Sequence, residues 1–114
     1  IGLAAGANFV ARTFSGDPKG TARTIAEAIR HPGFSLIEIL SPCVTFRPEE
    51  RDWANQVHPA AVEETQDRAQ AARRVLTDDG FNTGVLYRGD RPAYQPNFAP
   101  KDADLSEFER EFLP

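Results

Sequence analysis

The chain has 114 residues, 40% of them hydrophobic and 26% charged, a composition that matches one globular domain able to bury a core. Its formal net charge of −4 gives no electrostatic pull toward nucleic acid or anionic lipid, and its one cysteine excludes an internal disulfide. No apolar run approaches the ~20 residues that span a bilayer, and no secretion signal opens the chain, so a reducing, cytoplasmic setting is expected.

Methionine is absent and the chain opens on Ile1, which predicts a processed product or a piece of a longer protein. Residues 1–7, IGLAAGA, favour the piece. They read as the last turns of a buried helix with Gly6 near its stop, too short to be stable alone. Residues 8–14, NFVARTF, predict a short strand carrying Phe9, Val10 and Phe14. SGDP then turns into a helix, with Asp17 as N-cap and Pro18 at the first helical position, where a missing N–H does no harm. Ala22, Ile25, Ala26 and Ile29 share one face at helical spacing, and residues 31–33, HPG, end the helix.

Residues 34–40, FSLIEIL, are apolar at all but Ser35 and Glu38, the pattern of an interior parallel strand covered on both faces. Strand, helix and strand make one βαβ unit. From Arg47 the sequence turns charged and Ala-rich. It predicts two helices broken near His58 and Pro59, the second presenting Val62, Ala69, Ala72 and Leu76. Asp78, Asp79 and Gly80 form a turn, and residues 81–88 a third strand weakened by Asn82 and Gly84. Beyond Gly89 runs an acidic tail with Pro92, Pro96, Pro100 and Pro114, in which Leu105, Phe108 and Phe112 share one helical face; such tails dock on their own body or on a partner subunit. The chain therefore divides into 1–46, a βαβ part; 47–88, a helical insertion and closing strand; and 89–114, a Pro-rich acidic tail.

Cys43, in SPCVTF (41–46), has several readings. It is inert filling just past an interior strand, or a functional group where α/β sheets bind ligands, at the carboxyl end of a strand. A third reading is a nucleophile paired with His31 or His58, although His31 lies at the opposite end of the βαβ unit. One Cys and two distant His cannot build a zinc site. Lys19 is either a solvated lysine in the first helical turn or, with the backbone amides of the SGD loop, a contact for an anionic ligand. Arg12 is structural or lines the same cleft. Asp78 and Asp79 are read as turn chemistry, and Glu49, Glu50, Glu63 and Glu64 as solvated helix charges. No catalytic acid–base pair emerges.

Residues 3–46 carry the blocks FVAR, FSGD-x-K, H-x-GF and IE-x-LSPCVTF in this order. In these blocks the chain resembles the late part of the β subunit of 2-oxoacid:ferredoxin oxidoreductases, particularly the 2-oxoglutarate type. Residues 84–94, GVLYRGDRPAY, resemble that family's closing strand more loosely, and residues 47–80 only roughly. The resemblance implies an α/β, three-layer, thiamine diphosphate-binding fold with a mostly parallel sheet. It implies an enzyme that oxidatively decarboxylates a 2-oxoacid with CoA to acyl-CoA, CO2 and reduced ferredoxin. It makes Cys43 the fourth ligand of a 4Fe–4S cluster whose other three cysteines lie near the subunit's start, and Lys19 a contact for a CoA phosphate.

Those three cysteines are missing here, as is the Gly-Asp-Gly…Asn motif for Mg2+ and the diphosphate. A C-terminal fragment is therefore expected, retaining neither cluster nor thiamine diphosphate by itself. Its expected partners are the α subunit, ferredoxin, CoA and the 2-oxoacid, with a homodimer through an exposed sheet edge as a further possibility. Two other readings stay open: a non-catalytic α/β interaction or assembly module, and a small Cys-dependent hydrolase whose thiol pKa is depressed.

Overall fold

Strand β1 (Phe9–Phe14) is an inner strand of the sheet, paired on both edges and covered on both faces. The structure, a computed structural model, describes residues 1–60 and 63–95. Val62 and the tail residues 96–114, with Leu105, Phe108 and Phe112, lie outside the described residues. On one edge β1 pairs parallel with β2 (Ser35–Leu40), in register from Phe9 opposite Ser35 to Phe14 opposite Leu40. Helix α1 (Pro18–Arg30) connects the two. On its other edge β1 pairs antiparallel with β4 (Asn82–Arg88), and the two-residue β3 (His58–Pro59) pairs parallel with β4. The order is β2-β1-β4-β3. The expected α/β class is what the chain adopts, with a mixed sheet in which two of the three pairings are parallel.

Two small cores flank β1. Phe9 and Ala11 pack with Ala28 of α1, Ile37 and Val85, while Val10 packs with Ala7, Leu3, Ala71 and Tyr87. Val85 and Tyr87 are two residues apart yet join opposite cores, which a regular strand forbids. A bulge explains it. Val10 faces Tyr87 and Ala11 faces Val85, so Leu86 is an extra residue that re-aims the strand. Fully burying Phe9 contributes about 2–3 kcal/mol. The remaining buried apolar residues are mostly alanines.

Several expectations need correction. β2 is an edge strand, not an interior one, and its apolar residues are incompletely covered on both faces. Phe34, Leu36 and Ile39 are exposed. The predicted face of α1 is displaced: Ala28 is buried and Thr21 and Thr24 are half-buried, while Ile29 is 79% exposed. The helix packs over β1 through those small residues, and Ile25 and Ile29 overhang the unpaired side of β2 in a groove shared with Ile37. The opening residues make a single turn rather than a buried helix end, for Ile1, Ala4 and Ala5 are exposed. Its closure nonetheless follows helix-ending rules. Gly6 has φ +89, Gly6 N–H donates to Leu3 O (3.2 Å) and Ala7 N–H to Gly2 O (2.9 Å).

Residues 48–56 form a 3-10 turn (Pro48–Asp52) running into the short helix α2 (Trp53–Gln56), and the break at His58 and Pro59 is real. Helix α3 (Arg68–Thr77) starts at the N-cap Asp67, whose carboxylate accepts from Ala69 and Gln70 N–H. Its covered face is Arg68, Ala71, Ala72 and Val75, and Leu76 is exposed. The expected stripe was out of phase because it began at Val62, before the cap. Glu63 and Glu64 precede the helix, and Glu64 pairs with Arg88. The described start of the tail docks on its own body. Asn8 donates to Pro32 O and Arg91 O (both 2.9 Å), and its Oδ1 accepts from Arg91 N–H.

Arg12 is structural as well as a wall of the cleft described below. It is buried, and its Nε donates to Glu38 (2.7 Å), directly opposite on β2. Its Nη1 donates to Asp78 (3.0 Å) in the turn before β4, and to Asn82. Burial opposes its charge, but the hydrogen bonds to Glu38 and Asp78 outweigh that and hold its pKa above the ordinary arginine value. Arg12→Ala is expected to cost about 3 kcal/mol in urea unfolding, the low end for breaking a buried pair because Glu38 is 57% exposed. Arg12→Lys should recover only part, since an ammonium lacks the fork. A loss below ~0.5 kcal/mol, the scale of ordinary surface substitutions, would show that the three contacts do not hold the sheet together.

Candidate functional site

β1 and β2 are parallel and in register, so their carboxyl ends coincide. Ser15 N–H donates to Leu40 O (2.9 Å), locking the loop after β1 against the end of β2. The two residues singled out from sequence, Lys19 and Cys43, follow these strands and emerge at the same end of the sheet, where open α/β sheets bind ligands.

Cys43 is exposed, so it does not fill the core of the described residues. It opens a tight turn: Cys43 O accepts from Phe46 N–H (3.1 Å) and Arg47 N–H (2.8 Å). Glu50 sits inside this turn. Its Oε2 accepts from Cys43 N–H (2.8 Å) and its Oε1 pairs with Arg47 Nε (3.0 Å), leaving the side chain only 6% exposed. The expectation of a solvated charge is wrong for Glu50 and right for Glu49, which stays exposed on the other side of Arg47. Sequence reasoning missed Glu50 because Glu49, Arg51 and Asp52 around it are all charged. The available signal was its position in the first turn after Pro48, seven residues beyond Cys43.

A cleft of about 370 Å³ runs from the first turns of α1 past the end of β1 to β3. Arg12, Thr13, Asp17, Arg23 and His58 line it, and the buried Oγ1 of Thr13 has no partner among the described residues. Lys19 is exposed near its α1 end. Two amides of the SGD loop are already taken, Ser15 N–H by Leu40 O and Asp17 N–H by Phe14 O (both 2.9 Å), and Asp17 Oδ1 accepts from Gly20 N–H (2.9 Å) in the first turn of α1. An anion there would rely on cationic side chains more than on the helix end.

A Cys–His pair is not formed. His31 stacks at 5.6 Å on Phe9 and precedes β2, while Cys43 follows it, and a six-residue strand is about 20 Å long. His58 lies on β3, with β1 and β4 between it and β2. Asp78 and Asp79 shape their turn by accepting from Gly80 and Phe81 N–H (both 2.9 Å). Among the described residues no group of three or more His, Cys, Asp or Glu stands close enough to hold a metal ion.

His58 Nε2 meets Asp79 Oδ2 at 2.9 Å, and Nδ1 meets Pro59 O at 3.0 Å. The hydrogen bond to Asp79, then that to Pro59, raises the His58 pKa above 6.5, and the same bond to His58 lowers that of Asp79 below 3.8. The raised His58 favours the folded arrangement fully below pH 6.5, and that contribution is lost as pH rises through its folded value. Asp79 contributes above pH 3.8 and loses its share as pH falls through its own lowered value. In a proton NMR titration, Asp79→Asn should bring His58 back toward its ordinary midpoint. An unchanged midpoint would show that the pair is not formed in solution.

The chain matches no protein-family model. Over 47 residues it is 40% identical to 2-oxoglutarate synthase subunit KorB of Archaeoglobus fulgidus, covering 41% of this chain and 18% of that relative. Over 46 residues it is 39% identical to a 2-oxoacid:ferredoxin oxidoreductase subunit beta from a Sulfolobus species, covering 40% of this chain and 15% of that relative. The matched block is thus less than a fifth of either relative's length. A solved 2-oxoglutarate:ferredoxin oxidoreductase from Magnetococcus marinus, with 2-oxoglutarate, coenzyme A and succinyl-CoA bound, superposes on 96% of this chain and 36% of its own, with a TM-score of 0.68 and 29% identity. The resemblance read from the residues is borne out: in sequence the chain is similar to the β subunit of 2-oxoacid:ferredoxin oxidoreductases, and in fold to a 2-oxoglutarate:ferredoxin oxidoreductase.

Proposed function

We propose that this chain is the C-terminal part of the thiamine diphosphate-binding β subunit of a 2-oxoacid:ferredoxin oxidoreductase that acts on 2-oxoglutarate. One observation carries the reading: a block 40% identical over 47 residues sits in a chain whose fold follows such an enzyme over 96% of its length. The parent enzyme would decarboxylate the 2-oxoacid oxidatively, join the acyl group to CoA and pass the electron pair to ferredoxin. When bound, the thiamine diphosphate supplies the electron sink for decarboxylation and the 4Fe–4S cluster the path outward.

What this chain contributes is narrower. The exposed Cys43, on a turn fixed by Glu50 and Arg47, fits one corner of a cluster, as a thiolate presented from the end of a strand. The remaining thiolates are not in these 114 residues, nor is a Gly-Asp-Gly motif for Mg2+ and the diphosphate, so the reading assigns both to the rest of the subunit. Lys19 presents its ammonium from the first turn of α1 and would hold a CoA phosphate. The uncovered edge of β2, with Ile25, Ile29 and Ile39 beside it, would be covered by the rest of the subunit or by the α subunit, a second copy being the other way to close it.

The reading is tested with the full-length subunit and its α partner, purified without oxygen and assayed for ferredoxin reduction. Reduction that needs both 2-oxoglutarate and CoA is expected, and its absence with either would count against the assignment. Cys43→Ser in that enzyme should lose most cluster iron and the brown absorbance, whereas unchanged iron per subunit would free Cys43 from the ligand role. Lys19→Ala should raise the KM for CoA about tenfold, as loss of one charged contact does, with kcat little changed. An unchanged KM would return Lys19 to a solvated surface residue.

A further inference from the structure

The turn around Cys43 holds a carboxylate where burial is expensive. Glu50 is nearly enclosed in a 3-10 turn beside charged neighbours, although nothing in its local structure requires it to face inward. A buried carboxylate persists only when both oxygens are satisfied. Here one takes the Cys43 N–H, and the other stands 3.0 Å from Arg47 Nε as an ion pair, while the Nε–H itself is donated to Glu49 Oε1. Arg47 is tied to Cys43 a second time, through its own N–H to Cys43 O, and Glu50 N–H closes the ring by donating to Arg47 O (3.0 Å). Cys43, Arg47 and Glu50 thus form a closed loop of hydrogen bonds that fixes the Cys43 backbone while its thiol stays exposed.

We infer that Glu50 is a positioning residue for the Cys43 thiolate, and that its charge helps set the reduction potential of the cluster that Cys43 would ligate. The inference rests on the reading of Cys43 as a cluster ligand. Two effects follow from the geometry, and they have the same sign. The Cys43 N–H is committed to Glu50, so it cannot donate to a cluster sulfur, and such donation favours the reduced cluster. The carboxylate also places negative charge two bonds and one hydrogen bond from the ligating residue's Cα, which opposes added electrons. Arg47 offsets part of that charge from the exposed side. Removing the Glu50 charge should therefore make the cluster easier to reduce.

The test uses the oxygen-free holoenzyme with Glu50→Gln and Glu50→Ala, beside Cys43→Ser as control. The readouts are iron per subunit, the cluster's midpoint potential by EPR-monitored titration, and amide hydrogen exchange of the peptide holding Cys43. Glu50→Gln keeps an oxygen for the Cys43 N–H and loses the charge. It should retain iron, leave exchange within about threefold, and shift the midpoint positively. Glu50→Ala should speed exchange of the Cys43 amide about tenfold or more and lower iron occupancy. Unchanged potential in Glu50→Gln together with unchanged exchange in Glu50→Ala would overturn the inference. So would faster exchange with no change of potential in either variant, which would leave Glu50 a purely structural part of the turn. If Cys43→Ser keeps its iron and spectrum, the ligand reading itself fails, and the inference falls with it for that separate reason.

Discussion

The in-register parallel pairing of β1 with β2 is the constraint on which the rest of the molecule depends. It joins two six-residue strands end to end in phase, so that the loops after them leave from one place. Because strand side chains alternate with a period of two, a one-residue slip would exchange Glu38 with its neighbours Ile37 and Ile39. Arg12 makes that slip costly, because its partner Glu38 is the residue directly across the ladder. A single buried guanidinium therefore fixes the register, ties in β4 and the turn at Asp78, and sets where the loops after β1 and β2 emerge.

Three of the four buried polar residues among those described, Arg12, Thr13 and Glu50, lie on β1 or against the turn after β2, and the Thr13 hydroxyl beneath the cleft has no partner among the described residues. The fourth, Asn8, precedes β1 at its other end, and alanines fill most of the space between sheet and helices. Buried polar groups that stability alone does not require are where functional geometry is usually held. Among the described residues, much of the apolar surface left open lies along β2 and the overhanging face of α1.

The sequence disclosed the βαβ unit well because its signals are local. The Asp17 cap, Pro18, the HPG stop and the apolar FSLIEIL run each act within a few residues. It misjudged which strand is central, since FSLIEIL is the more apolar segment yet FVARTF has partners on both edges, and strand order is a long-range property. The helix faces were misphased for two reasons. Ile25 and Ile29 are apolar without being packed against this chain, and Asp67 rather than Val62 sets the start of α3. Cys43 was singled out because cysteine is rare and its setting is distinctive. Glu50 was not, for burial of one acid among PEERD depends on a turn seven residues away, and no periodicity announces that.

The central claim is that the sulfur at the end of β2 is shaped to hold iron. A crystal structure of the full-length subunit, prepared without oxygen, tests it most directly. It should show Cys43 Sγ bonded to one iron of a 4Fe–4S cluster, with three cysteines from outside these residues completing the set. A cluster fully ligated by other side chains, with the Cys43 thiol free, would contradict it.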